Sequence, residues 1–348
     1  MYEILMFKTA IMVNKSAVYI SQLSKCIKIS NSGKRNSNLS NRKLNNRAYF
    51  CFGQTKTTIT YIQNRRTNLM KKTKDTIIWM GAGQIGLAII RRIGSGKKII
   101  VGDKNLENAE NATVILNDAG FDATAIQADL SSRESIRAVI SEALKHGEIK
   151  HLINAAGVSP SQASIETILK VDLYGTAVLL EEVGKVIANG GTGITISSQS
   201  GHRLQDLGPE NNELLAVTPT EKLLQLDILQ PSQIKNTLHA YQLAKRCNVK
   251  RVMAEAVLWG KRGARINSIS PGIIVTPLAK DEFNGPRGDF YKNMISKCPA
   301  GRPGTPDEVA HIAELLLSEK GSFISGSDFL IDGGATASYF YGPLQPNK

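Results

Sequence analysis

Tyr241 and Lys245 stand four residues apart in Tyr-Gln-Leu-Ala-Lys, a spacing that puts both side chains on one helical face. A phenol titrates near about 10 in water, so as a base it is mostly protonated at neutral pH. An ammonium group beside it stabilises the phenolate and brings proton transfer at that oxygen within reach. Such a pair by itself occurs on many solvated helices, and the rest of the sequence has to decide. Gly81-Ala82-Gly83-Gln84-Ile85-Gly86 follows a short apolar run and opens a helical pattern. Gly81 permits the tight turn and Gly83 a close backbone approach to a pyrophosphate. Gly86 permits close packing of helix on strand, and the helix start offers free N–H groups. Asp103 lies 22 residues past Gly81, where a carboxylate can bind both hydroxyls of an adenosine ribose. That acid repels a 2′-phosphate, which favours NAD(H) over NADP(H) without excluding the latter; Lys104, next in sequence, is able to soften the preference.

The elements that must position these groups alternate from Thr76 onward. Thr76–Met80, Lys98–Asp103, a run leading into Ala128-Asp129, His151–Asn154, Gly193–Ser197, Arg265–Ile269 and Phe329–Ile331 read as strands. Helical patterns lie between them, and Ser131-Ser132-Arg133-Glu134 reads as a capping box opening one of these. The alternation predicts an α/β domain: right-handed βαβ units, a mostly parallel seven-stranded sheet and helices on both faces. Ligands then sit at the carboxyl ends of the strands.

The net charge of +13 over 348 residues suggests nucleic acid until it is located. Residues 1–75 hold 15 basic and 2 acidic residues, which is the whole excess, and the rest is neutral. Residues 1–72 therefore form a basic extension, read as disordered around 31–38, and residues 73–348 the folded domain. Met70-Lys71-Lys72 opens directly onto the first strand, as the start of a compact enzyme would. A targeting peptide and a nucleic-acid-binding arm are the other readings of the extension. Nucleic acid is not expected as a partner of the body, and no apolar stretch is long enough to predict a membrane span. The four cysteines have no metal-ligand spacing, so no metal is predicted, and a reducing, cytoplasmic location fits.

Further segments decide the Tyr241 pair. Asn154-Ala155-Ala156-Gly157 and Ile196-Ser197-Ser198 each end a strand upstream. Ser270-Pro271-Gly272-Ile273-Ile274-Val275-Thr276-Pro277 follows a later strand, and Asp332-Gly333-Gly334 comes near the end of the chain. In that order, over roughly residues 75–335, these motifs resemble the classical short-chain dehydrogenase/reductase family. The resemblance implies a single Rossmann-type doubly wound domain that interconverts a secondary alcohol and a ketone. It implies that Tyr241 is the general acid/base, that Lys245 holds the nicotinamide ribose and favours the phenolate, and that Ser198 holds the substrate oxygen. Asp129 matches the acid near the adenine, with Leu130 beside it, and Asn154, Ala155, Ala156 and Gly157 the segment beside the adenosine. Pro271, Gly272, Ile274 and Thr276 match the loop that fixes the carboxamide. A small-molecule substrate and a homodimer or homotetramer are implied as well.

Departures from the family pattern are informative. The glycine motif is one residue short of the usual T-G-x-x-x-G-x-G, and Gln84 stands at a glycine place. Asp172, in Lys170-Val171-Asp172-Leu173, stands where the family has its fourth catalytic residue, an asparagine. Ser198 and Tyr241 are 43 residues apart where about a dozen is usual. The insertion, residues 203–236, resembles that of bacterial 3α-hydroxysteroid dehydrogenase/carbonyl reductases. Thr218-Pro219-Thr220-Glu221 reads as a capping box ahead of a short amphipathic helix ending at Pro231, and the insertion as a lid or a subunit contact. His202 reads as a loop residue, Cys247 as packing, and Tyr339-Phe340-Tyr341 as a subunit contact. The main alternative function is a non-catalytic dinucleotide-binding sensor on the same fold.

Overall fold

The computed structural model describes residues 74–285 and 288–346. The basic extension, its disordered reading, Cys26 and Cys51 lie outside the described residues. The strands are β1 (Thr76–Met80), β2 (Lys98–Asp103), β3 (Asp122–Gln127), β4 (Ile149–Asn154), β5 (Thr192–Ile196), β6 (Arg265–Pro271) and β7 (Asp328–Ile331). They form one sheet in the order β3-β2-β1-β4-β5-β6-β7, and every pairing is parallel. The chain leaves β1 toward β3 and then returns to β4, so the strand order reverses between β1 and β4. That is where a crevice opens in a doubly wound sheet.

Alternation along the strands assigns the two faces. Ile78, Met80 and Ile100 point to one core, Ile77, Trp79, Ile99 and Val101 to the other. The first core is closed by α3 (Arg133–His146), by α4 (residues 165–184), and by α7 (Thr237–Gly260). The second is closed by α1 (Gln84–Ile93), α2 (Leu106–Asp118) and α10 (Pro306–Leu317). Helix α4 runs in three parts, a first turn Ile165–Ile168, a wide π-helical stretch Leu169–Gly175 and a regular part Thr176–Gly184. After β5 come a short turn α5 (Gln199–His202) and α6 (Gly208–Val217). After β6 come α8 (Pro277–Asn284) and α9 (Gly288–Lys297), and after β7 the terminal α11 (Ala335–Tyr341).

Two local expectations are corrected. The N-cap of α3 is Ser132, not Ser131: the Ser132 hydroxyl accepts from the Ser135 amide, while Ser131 turns its hydroxyl to Asp129 Oδ1. The stretch Thr218–Leu229 is not an amphipathic α-helix. It is two 3₁₀ turns, Thr220–Gln225 and Asp227–Leu229, and the α-helix of the insertion is α6, just before them. A capping box at Thr218 needs that residue's amide, which instead closes α6 on Leu214. Glu221 is drawn away to Arg133 and Tyr174.

Gly86 shows how tightly α1 lies on β1. A Cβ there would fall 2.0 Å from the Trp79 indole nitrogen, in a fully buried position. Gly86→Ala is therefore expected to cost about 1–3 kcal/mol of overpacking. The melting temperature should drop by several degrees, read by thermal unfolding, and an unchanged value would contradict this packing.

Candidate active site

Beginning at the glycine turn, Gly81 has φ +83°, and a Cβ on it would meet Ala156 Cα at 2.5 Å. Only glycine fits there. Gly83 is different: a Cβ on it would meet nothing within 4 Å. It caps α1 with no side chain over the helix end and no acid in the first turn. No side chain caps the start of α1, and the space beside Gly83 is open, which suits a pyrophosphate. Asp103, at the end of β2, accepts the Ala82 amide on Oδ2 (2.8 Å) and the Asn105 amide on Oδ1 (2.9 Å). These bonds fix the carboxylate beside the turn and leave acceptor capacity for a ribose diol. Asp129 is fixed likewise. Burial pushes its carboxyl up, but the Ser131 hydroxyl and amide and Lys104 outweigh that and hold it below the ordinary range. Lys104 lies 3.3 Å from Asp129 Oδ2, so its charge is engaged there. Leu130 is buried, its carbonyl against Gly175.

Lys245 comes from the middle of α7 and Asp172 from the π-helical stretch of α4. Both are buried, at 4% and 0% exposure. Lys245 Nζ is 3.3 Å from Asp172 Oδ2, and the Val158 amide donates to Asp172 Oδ1 at 2.8 Å. Burial pushes the Asp172 carboxyl up, with Lys245 and the Val158 amide pulling the other way. Burial also works against the Lys245 ammonium, yet Asp172 and Tyr241 overcome it and hold Lys245 above the ordinary lysine range. The ammonium sits 5.2 Å from the centre of the Tyr241 ring. Gly157 closes the group from above: a Cβ there would come within 3.1 Å of Asp172 and 3.2 Å of Lys245.

Ser198 is tied to the same helix. The Ser197 hydroxyl donates to the Lys245 carbonyl (2.8 Å), and Arg246 Nε donates to the Gly201 carbonyl (2.9 Å). A Cβ on Gly201 would meet the backbone of Lys245 and Arg246 at 2.9 Å. Ser198 Oγ accepts the Ser200 amide at 3.1 Å, which leaves its own proton to donate. Asn154 ends β4 opposite Met80, the Ala155 amide donates to the Met80 carbonyl, and the Asn154 side-chain amide donates to Thr176 Oγ1. Pro271 ends β6, Gly272 lies against Asp332, and Ile274 is held by pairing with Gly304. Thr276 accepts the Ala279 amide and opens α8. The structure thus brings Ser198 and Lys245 onto one framework and gathers the remaining predicted residues at the carboxyl ends of the strands.

Sequence reasoning did not find Ser197, whose hydroxyl anchors the Lys245 backbone, or the role of Gly157 as the small residue over the ion pair. The pairing Ser197-Ser198 at a strand end was the available signal for the first. His202 is more than a loop residue: it is 2.6 Å from Asp328 Oδ2, and Asp328 also takes the Ser268 and Ser270 hydroxyls. Cys247 is buried, and burial pushes its thiol up to about 11, in keeping with packing. The insertion is packed rather than loose, with Leu215, Leu223 and Leu229 buried against Leu173, Leu243 and Cys247. Among the described residues no metal-binding cluster of His, Cys, Asp and Glu occurs.

The ion pair has a measurable consequence. Asp172→Asn keeps the size of the side chain and removes its charge. Burial then acts on Lys245 with only Tyr241 still opposing it, so the ammonium loses its proton at lower pH. The alkaline limb of the activity–pH profile should move to lower pH, and the fold should lose roughly 3–5 kcal/mol, read by denaturant unfolding. An alkaline limb that stays in place would contradict the coupling.

The short chain dehydrogenase family model matches residues 75–209, and the model described as enoyl-(acyl carrier protein) reductase matches residues 216–336. A short-chain dehydrogenase/reductase of Alternaria brassicicola, bsc3, is 38% identical over 266 residues, 76% of this chain and 97% of its own length. The 3-alpha-hydroxysteroid dehydrogenase/carbonyl reductase of Comamonas testosteroni is 29% identical over 217 residues, 60% of this chain and 82% of its own. A solved short-chain dehydrogenase/reductase from Serratia marcescens superposes with a TM-score of 0.59 at 22% identity, over 76% of this chain and 98% of that one. The chain belongs to the short-chain dehydrogenase/reductase family and is an oxidoreductase acting on CH–OH groups.

Proposed function

We propose that this oxidoreductase interconverts a secondary alcohol and a ketone with NAD(H), and that Tyr241 gives or takes the hydroxyl proton. The carrying observation is the buried Lys245 ammonium, paired with Asp172 and 5.2 Å from the Tyr241 ring. A cation in that place favours the phenolate, so the phenol oxygen can exchange a proton with substrate near neutral pH. Ser198, with its proton uncommitted, donates to the substrate oxygen as negative charge develops on it. The dinucleotide supplies or accepts the hydride. Gly83 and the start of α1 would hold its pyrophosphate, Asp103 its ribose and Asp129 its adenine end.

Asp103 and the engagement of Lys104 by Asp129 support NAD(H) over NADP(H). The Comamonas relative is named for a hydroxysteroid and for carbonyl reduction. The leucine-rich insertion, packed beside the Tyr241 helix, supports an apolar substrate of that general size. We read the insertion as the wall of the substrate mouth. Exposed Met253, Val257 and Leu258 on α7 support self-association as a dimer or tetramer. The free Cys247 and Cys298 agree with a cytoplasmic location. Among the described residues no helix is long and apolar enough to cross a membrane.

The test is a panel of alicyclic ketones followed by NADH and NADPH oxidation. Tyr241→Phe should lose at least about 100-fold in turnover, as removal of a general acid/base does, while NADH still binds by fluorescence. The wild type should prefer NADH, and Asp103→Ser should shrink that preference. Undiminished turnover in Tyr241→Phe would exclude the assignment.

A further inference from the structure

Gln199 and Arg203 follow Ser198 and lie one helical turn apart, so they share a face of α5. Both reach the same atom: Gln199 Nε2 and Arg203 Nη1 each lie 3.5 Å from Met294 Sδ on α9. A thioether is a weak acceptor for a guanidinium or an amide. Gln199 Oε1 and Arg203 Nε are buried and make no hydrogen bond at all. No carboxylate lies within 4 Å of Arg203 among the described residues. Asp332 acts on it through its charge at a longer distance, and its two oxygens each accept one amide, from Gly334 and Thr336. Tyr339 offers a ring face 5.7 Å from the guanidinium carbon.

A partly buried guanidinium whose Nε has no partner and whose Nη1 has only a sulfur is costly, and burial pulls its pKa below the ordinary arginine value. An anion supplies the acceptor that the Arg203 Nε–H lacks. A carboxylate matches the planar fork of arginine and can also accept from the Gln199 amide. Met294 need not obstruct it. It borders a cavity of about 380 Å³, lined also by Ile273, Ile295 and Cys298, into which a flexible thioether can withdraw.

We infer that Arg203 and Gln199 form a binding site for a carboxylate carried on the ketone or alcohol substrate. The inference rests on the alcohol–ketone reading above and narrows it to keto acids and hydroxy acids with an apolar body. The four helical residues Gln199–His202 separate Arg203 from Ser198, about 6 Å along the axis. The carboxylate thus sits across a ring or a short chain from the reacting carbon, not next to it.

The test compares 4-oxocyclohexanecarboxylate and a keto bile acid with their methyl esters, as kcat/KM on the wild type, Arg203→Met and Arg203→Lys. The wild type should favour the acid over its ester by roughly 10- to 100-fold, the worth of a charge-assisted hydrogen bond. Arg203→Met should lose that ratio and Arg203→Lys keep part of it. Taking the ratio within one variant cancels general effects of the substitution on the enzyme. Cyclohexanecarboxylate, which carries no ketone, should inhibit the wild type competitively and Arg203→Met at least about tenfold more weakly. Equal use of acids and esters by the wild type, or a ratio unchanged in Arg203→Met, overturns the inference and leaves alcohol–ketone chemistry standing. If none of these ketones is reduced, the alcohol–ketone reading fails. Calorimetric titration of cyclohexanecarboxylate into wild type and Arg203→Met then decides the carboxylate site alone, with equal or absent binding counting against it.

Discussion

A charged amine held almost entirely out of water organises this protein's functional end. Lys245 keeps its proton because Asp172 faces it at 3.3 Å, and Asp172 is held in turn by the Val158 amide. Isolated burial would neutralise either group, so each depends on the other. That mutual dependence explains the local architecture. The widened π-helical stretch of α4 carries Asp172 into line with Lys245, as such widened turns often do at functional sites. A Cβ on Gly157 would crowd both members of the pair, at 3.1 and 3.2 Å. Ser197 bonds to the Lys245 carbonyl, so the strand that delivers Ser198 is registered to the helix that delivers the amine.

The sheet supplies the rigid base. Two cores, one on each face, clamp β1, β4, β5 and β6, whose carboxyl ends carry the glycine turn, Asn154 to Gly157, Ser198 and the Pro271–Thr276 segment. Around the glycine turn the requirements are opposite at neighbouring positions: Gly81 and Gly86 are squeezed by Ala156 and Trp79, whereas Gly83 faces open space. Gly81 thus serves the turn and Gly86 the packing, and the space beside Gly83 is open.

Much of this was legible in the residues because the signals were local. Apolar runs of alternating facing made all seven strands readable, and the glycine turn, Asp103 and the Tyr241–Lys245 spacing need no tertiary knowledge. What escaped was set by contacts distant in sequence. The Thr218 amide is spent on α6 and Glu221 on Arg133, so a local capping pattern gave no helix. Ser131 went to Asp129 and moved the cap of α3 by one residue. His202 found Asp328, 126 residues away, and Arg203 found Met294, 91 residues away. No periodicity announces such partners.

The phenol is where the account is most exposed, and it can be observed directly. The nine tyrosines can be labelled with carbon-13 at the ring ζ position and titrated by NMR, in the wild type and in Tyr241→Phe and Lys245→Met. One resonance should ionise clearly below the ordinary value of about 10, vanish in Tyr241→Phe and move upward in Lys245→Met. Nine tyrosines that all titrate at or above the ordinary value would contradict the coupling of the buried amine to the reacting oxygen.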